Sequence, residues 1–279
     1  MADNVLTGQT AIVTGSARGI GFEVARLLLS SDANVIINDL DEEACIAAHA
    51  ELAQAVGERV AAVPGDVTLA TTADGLVDQA LDRFGGVDIL VNNAGYIWNS
   101  SLLQGTDEQL QAMLDVHLHG PVRLLRRAGA VIREAAKAEQ ARDGVARSRR
   151  VVNVSSTSGV YGAALQFSYA TAKAGVLGLT TSLAREWGRY NVTVNAVAPG
   201  VTDTRLTAAY TDEPSQTVIG GRSVPVGLST EQLKAARTMT PLQRLGTARE
   251  AAGAIYLLCR PEASFISGQT VVVAGGLTT

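Results

Sequence analysis

Cysteine is almost missing from this chain: Cys45 and Cys259 are the only two in 279 residues. They lie far apart, with no CxxC pair or histidine cluster beside them, which excludes a disulfide framework and gives no metal site. Small apolar packing in helices is the role left to them. Aromatic residues make up only 4% of the chain against 47% hydrophobic residues. The core must therefore come from Ala, Val, Leu and Ile, as in parallel sheets covered by helices. An excess of positive charge is also missing. At a formal net charge of -4, nothing draws the chain to nucleic acid or to an anionic membrane. No uncharged apolar run reaches membrane-spanning length, and the opening MADNVLTGQT lacks a basic flank followed by an apolar stretch. A soluble, cytoplasmic protein is expected, with no nucleic-acid or membrane partner.

What is present is alternation. Short β-branched runs recur, separated by helix-length amphipathic segments rich in Ala and Leu, the pattern of repeated βαβ units. Strands are expected near Thr10–Thr14, Asn34–Asn38, Arg59–Val63, Asp88–Asn92, Arg150–Val154, Val192–Val197 and Thr270–Val273. Helices are expected near Gly19–Ser31, Asp41–Val56, Leu69–Phe84, Asp107–Lys137, Ser168–Arg189 and Ala248–Leu258. No linker divides the chain, so one α/β domain over residues 1–279 is predicted: a doubly wound, seven-stranded parallel sheet with helices on both faces.

Two stretches break the rhythm. Residues Ile132 to Arg150 are charged and centred on Asp143-Gly144, and read as a helix extended past the sheet followed by a solvated loop. Glu134, Glu139 and Asp143 interrupt its basic residues and no aromatic is interleaved, which argues against a nucleic-acid patch. Residues Thr207 to Thr240 carry Pro214, Gly220, Gly221, Pro225 and Gly227 with weak periodicity. A mobile substrate lid and a disordered surface loop both fit that excursion.

The first strand runs directly into Thr14-Gly15-Ser16-Ala17-Arg18-Gly19-Ile20-Gly21, after which a helix opens. Glycines there let the backbone turn sharply and approach a pyrophosphate, while the helix N-terminus complements its charge. A tight turn without a ligand would look the same in isolation. Asp39, at the end of the second strand in VIINDLD, stands roughly twenty residues beyond the glycines, where an acid meets the adenosine ribose. A carboxylate accepts hydrogen bonds from free hydroxyls and repels a 2′-phosphate, so NAD is favoured over NADP. Arg18 argues the other way, since a guanidinium in this turn could pair with a 2′-phosphate. Asp39 could instead be a helix N-cap or a solvated turn acid, although Asp41 fills that role equally well.

Tyr169 and Lys173 are four apart in SYATAKAGVLGL and share one helix face. With 6 Tyr and three Lys in the chain, random placement gives about 0.06 such pairs. Reducing a ketone with hydride requires a proton donor at the carbonyl oxygen, and a phenol near pKa 10 is a poor base for the reverse step. A neighbouring ammonium lowers that pKa, so Lys173 is expected to tune Tyr169 while bonding the nicotinamide ribose. Ser156 follows the strand Val151–Val154 and could orient the carbonyl; Ser155, Thr157 and Ser158 are chemically similar, and turn or capping chemistry is the alternative for each.

Taken in order, these motifs resemble the short-chain dehydrogenase/reductase family over essentially the whole chain. TGSARGIG resembles its cofactor loop, Asp66-Val67 its adenine contact, and Asn92-Asn93-Ala94-Gly95 the motif after its fourth strand. Ser156, Tyr169 and Lys173 have the family spacing, Pro199-Gly200 with Thr204 resembles the nicotinamide carboxamide segment, and SGQTVVVAGG the final strand and turn. The resemblance implies a Rossmann fold, a homo-tetramer and a dinucleotide held by Gly15, Arg18, Gly19, Ile20, Gly21, Asp39, Leu40, Asp66, Val67, Asn93, Ala94, Gly95, Tyr169, Lys173, Pro199, Gly200, Thr202 and Thr204. It implies catalysis by Tyr169 as acid/base, Lys173 as cofactor clamp and Ser156 as carbonyl anchor. Within the family the chain is most similar to 3-oxoacyl-thioester reductases and the (3R)-hydroxyacyl-CoA dehydrogenase type. An NADP-dependent carbonyl reductase and a non-catalytic dinucleotide sensor are the alternatives.

Three positions depart from the pattern. His117 stands where the family usually has the Asn of a proton relay; it could carry protons with a pKa near neutrality, or pack and cap in the helix kink. Thr202 replaces an aliphatic residue, and Ala274 an acid before Gly275-Gly276. Trp98 and the excursion 207–240 are expected to shape the substrate pocket.

Overall fold

The computed structural model describes residues 4–211 and 213–277. Residues 1–3 and 278–279 of the expected domain, and residue 212 of the expected lid, lie outside the described residues. The chain runs β1 (Thr10–Thr14), α1 (Gly19–Ser30), β2 (Asn34–Asn38), α2 (Glu42–Val56), β3 (Val60–Ala62), α3 (Ala70–Phe84) and β4 (Ile89–Asn92). It continues through α4 (Asp107–Leu114), α5 (Gly120–Asp143), β5 (Arg149–Val154), α6 (Thr157–Tyr161), α7 (Phe167–Trp187) and β6 (Val192–Pro199). Then come β7 (Thr202–Asp203), β8 (Ala209–Tyr210), β9 (Ser215–Ile219), β10 (Arg222–Val226), β11 (Leu228–Ser229), α8 (Thr230–Met239) and β12 (Gly246–Thr247), before α9 (Ala248–Cys259) and β13 (Thr270–Val273) close the fold.

The seven expected strands form one sheet in the order β13-β6-β5-β4-β1-β2-β3, with every neighbouring pair parallel. Alternation along each strand sends side chains to opposite faces. Ala11, Val13, Val35 and Ile37 pack against Val24 and Leu28 of α1, Cys45 and Leu52 of α2, and Ile255 and Cys259 of α9. Ile12, Ile36, Leu90 and Val151 pack on the other face against Leu76 and Val77 of α3 and Leu124 and Ala128 of α5, with Leu179 and Trp187 of α7 beside them. Both faces are thus covered, which is why the strands read as nearly continuous apolar runs. The winding reverses between β1 and β4, and the crevice beyond their carboxyl ends is where such sheets bind ligands.

Three expectations change. The single helix expected over Asp107–Lys137 is two helices joined by a π-helical turn at Asp115–His119. Pro121 has no N–H to return to the carbonyl four residues back, so the regular ladder cannot pass through unbroken. α5 then runs beyond Lys137 to Asp143 and ends at Gly144, φ 78°. Second, the stretch 132–150 is not simply solvated: Arg149 pairs with Glu139 at 2.6 and 2.9 Å, and their side chains are only 5% and 10% exposed. Third, the excursion 207–240 carries regular structure. β9 and β10 form an antiparallel hairpin through Gly220 and Gly221, both at positive φ, as a two-residue hairpin turn demands. Ser229 caps α8 in a capping box with Gln232. Among the described residues no helix is long and apolar enough to cross a membrane.

Candidate active site

The turn after β1 is built by close approach. A Cβ on Gly15, itself at φ 61°, would lie 2.6 Å from the Ala94 Cα, and one on Gly21 would lie 2.2 Å from the Gly15 carbonyl oxygen. The Asn93 amide donates to the carbonyls of Thr14 at 2.9 Å and Gly15 at 2.8 Å. Asn93 therefore fastens the loop after β4 to the turn, and its side chain is held by protein. α1 begins after Arg18 with no side-chain capping bond and no acid in its first turn, which leaves its terminal N–H groups to complement an anion. Opposite Gly19, the Thr204 methyl stands 3.9 Å from where a Cβ would be. That places the Pro199–Thr204 segment across the crevice from the turn.

At the end of β2, the Asp39 carboxylate accepts the N–H of Ala17 at 3.1 Å and of Asp41 at 3.2 Å. Asp41 caps α2, accepting from the Ala44 N–H at 3.1 Å, so the N-cap alternative for Asp39 falls away. Arg18 forms an ion pair with Asp41 at 2.5 Å. Uncapped N–H groups beside an acid with lone pairs to spare fit the pyrophosphate and adenosine ribose of a nicotinamide dinucleotide. Leu40 is exposed, Asp66 accepts from the Thr68 N–H at 2.8 Å, and Val67 packs beside Tyr96 and Tyr169. Thr202 donates to the Gly200 carbonyl at 3.1 Å, while the Thr204 N–H donates to the Thr207 hydroxyl at 3.0 Å. Ala274 lies directly against Gly200: a Cβ added at Gly200 would come within 3.0 Å of the Ala274 Cβ, so glycine is favoured at 200.

Tyr169 and Lys173 leave α7 on the same face, both buried, with the Lys173 Nζ 5.8 Å from the Tyr169 ring centroid. Lys173 donates to the Val154 carbonyl at 2.7 Å. The four hydroxyls that sequence alone left equivalent separate here. Ser155 donates to the Lys173 carbonyl at 2.8 Å, Ser158 donates to the Gln166 side chain at 2.7 Å, and the Thr157 methyl faces Gly200. The Ser156 oxygen accepts the Ser158 N–H at 3.2 Å, and its hydroxyl bonds the Tyr169 phenol in the sense that lowers the phenol's pKa, donating toward the phenol oxygen.

Burial drives both groups toward their neutral forms. It pushes the Tyr169 phenol up to about 12, with the Ser156 hydrogen bond working the other way, and brings the Lys173 ammonium down to about 7. Tyr169 thus stands above the ordinary phenol range, where tuning by Lys173 was expected to bring it below. Loss of solvent outweighs the Ser156 hydrogen bond, and the amine beside it is itself driven toward its neutral form.

His117 sits in the π-helical turn with its ring edge-on to Tyr169, centroids 5.1 Å apart. Its Nε2 lies 2.8 Å from the Tyr96 carbonyl, so that nitrogen carries the proton. Nδ1 is buried without a partner. Burial, then the charge of Lys173, hold its pKa well below the ordinary value, against the Tyr96 hydrogen bond. The expectation of a pKa near neutrality is therefore corrected: this histidine is neutral. A Cβ on Gly95 would lie 2.1 Å from its ring, which is why glycine ends the Asn-Asn-Ala-Gly motif.

Sequence reasoning assigned the excursion 207–240 to the substrate pocket but did not foresee that a hairpin would bring it there. Val224 of β10 is fully buried against Tyr96, Met113 and Tyr169, with Trp98 at the edge of the cluster. Arg222 bonds Glu108 at 2.9 Å and the Tyr96 phenol, tying the hairpin to the opposite wall. Only the Gly220-Gly221 pair signalled a hairpin, and nothing in the sequence said which of its residues would face the site.

Residues 15–278 match a family model described as enoyl-(acyl carrier protein) reductase. The chain is 36% identical over 272 residues to a 3-oxoacyl-[acyl-carrier-protein] reductase of Vibrio cholerae, covering 98% of each. It is 33% identical over 274 residues to the Escherichia coli enzyme of the same description, covering 97% of each. Among solved structures, it is similar to a Brucella melitensis 3-ketoacyl-(acyl-carrier-protein) reductase complexed with NADH, at TM-score 0.81 and 26% identity, covering 98% of this chain and 99% of that one. A Brucella melitensis short-chain dehydrogenase/reductase described as glucose/ribitol dehydrogenase also gives TM-score 0.81, at 28% identity over 99% and 98% of the two chains. With its motifs, sheet order and full-length relatives in agreement, the chain belongs to the short-chain dehydrogenase/reductase family.

Proposed function

We propose that this chain is an NAD(H)-dependent oxidoreductase interconverting a 3-oxoacyl thioester and its 3-hydroxyacyl counterpart. The observation that carries the reading is the buried Tyr169, Lys173 and Ser156 cluster, set in a chain that matches 3-oxoacyl reductases over nearly its full length. Bound nicotinamide supplies or accepts the hydride. Ser156 turns its proton from the Tyr169 phenol to the substrate carbonyl and fixes its orientation. Tyr169 is fully protonated at neutral pH, the form required to protonate the developing alkoxide. Lys173, poised near neutrality, favours the resulting phenolate when charged. His117 stays neutral and offers Nδ1 as an acceptor beside them, so any proton path through it uses that lone pair.

Asp39 supports NAD over NADP, because its carboxylate would face a 2′-phosphate. Val224 and Trp98 support residues 207–240 as a lid over the substrate. The exposed apolar side chains of Leu257, Phe265 and Ile266, which precede the C-terminal strand in sequence, together with the family resemblance, support a homo-tetramer. The test is NADH consumption with a 3-oxoacyl-CoA beside a panel of simple ketones, followed at the nicotinamide absorbance band. Turnover of the thioester is expected; NADH binding without turnover of any of these compounds would overturn the proposal.

A further inference from the structure

Arg18 is the cation of the phosphate turn, the residue that could pair with a 2′-phosphate, and the structure gives it another partner. Its guanidinium meets one oxygen of Asp41, while the other oxygen of Asp41 accepts the Ala44 N–H at 3.1 Å. The Asp41 N–H in turn donates to Asp39, and Asp39 also holds the Ala17 N–H beside Arg18. Arg18, Asp39 and Asp41 thus form one connected cluster at the adenosine ribose end of the crevice. The charge of Arg205, at the base of the 207–240 excursion, also acts on Asp41. We propose that Asp41 is a second specificity-determining residue for the cofactor: it holds Arg18 away from a 2′-phosphate, so that Asp39 and Asp41 exclude NADP together.

This rests on the NAD(H) reading above and deepens it. Arg18 and Asp41 have side chains 37% and 50% exposed, so the pair adds little to stability. Its effect is directional. A 2′-phosphate approaching Arg18 has to displace one carboxylate while being repelled by another, and removing the Asp39 charge alone leaves Arg18 committed to Asp41.

The test is equilibrium binding of NADH and NADPH by isothermal titration calorimetry to the full chain and to variants at these three positions. Asp41→Asn is the informative change, because Asn caps a helix as well as Asp does and only the charge is lost. Relative to wild type, Asp41→Asn should improve NADPH over NADH by about fivefold, the upper end of what an exposed ion pair commands. Combined with Asp39→Ser, it should give more than the product of the two single effects, and Arg18→Ala should erase that gain. A NADPH-to-NADH ratio unchanged by Asp41→Asn in both backgrounds, or a gain that survives Arg18→Ala, would overturn the role of Asp41 while leaving the oxidoreductase reading intact. Failure of wild type to bind either dinucleotide would overturn both.

Discussion

Replacing Lys173 with methionine should make the protein more stable near neutral pH, even though it removes a buried hydrogen bond. Burial lowers the ammonium from 10.5 to about 7, a displacement equivalent to about 5 kcal/mol between the charged and neutral forms. Between those two values the unfolded chain binds more protons than the folded one. Stability therefore rises with pH across that window, and the full penalty is felt below it. Relative to the methionine variant, wild type should gain about 3 kcal/mol between roughly pH 6 and pH 9. The Val154 carbonyl, which accepts from Lys173 at 2.7 Å, loses its partner in the variant at every pH, so that cost cancels in the difference. Urea unfolding followed by circular dichroism, at one protein concentration because association couples to stability, measures both curves. Parallel curves, agreeing within about 0.5 kcal/mol, would show that Lys173 is not desolvated as described and would refute the reasoning.

Glu139→Gln should cost about 3 kcal/mol in urea unfolding, since it removes the carboxylate bound at 2.6 Å and leaves the buried Arg149 guanidinium only the longer 3.8 Å pairing with Asp88; a loss below about 1 kcal/mol would mean that the pair is solvated. Because His117 is held neutral by burial and by Lys173, His117→Asn should leave the shape of the kcat/KM profile unchanged from about pH 5.5 to 7.5. An ionisation in that range that vanished in the variant would show that His117 titrates.

Much of this fold was legible because its signals are local. β1, β2 and β13 fall on the residues that the β-branched runs mark, and the glycine turn and the Tyr169-Lys173 pair declare themselves within a few positions. The errors came where packing decides between equals. Pro121 was visible in the sequence, yet the π-helical turn it accompanies depends on α4 and α5 meeting α7 at His117 and Tyr169. Four hydroxyls from Ser155 to Ser158 were equivalent until α7 arrived to bond Ser155 and face Ser156. Arg18 and Asp41 are distant in sequence, and only the β1-β2 register joins them. Val224 closes on Tyr169 from a hairpin whose flanking strands have no clear alternation. The direction of the phenol's pKa also escaped, because motif chemistry names the neighbours of a group and says nothing about its solvent.

The central claim, that Tyr169 is the acid/base of a nicotinamide-linked carbonyl reduction, is tested most directly by Tyr169→Phe, which removes one oxygen and keeps the ring. Its kcat for NADH-dependent reduction of a 3-oxoacyl-CoA should fall by roughly 10²–10⁴-fold, the contribution of a positioned general acid, while NADH still binds in a fluorescence titration. A variant that kept full turnover would contradict the account.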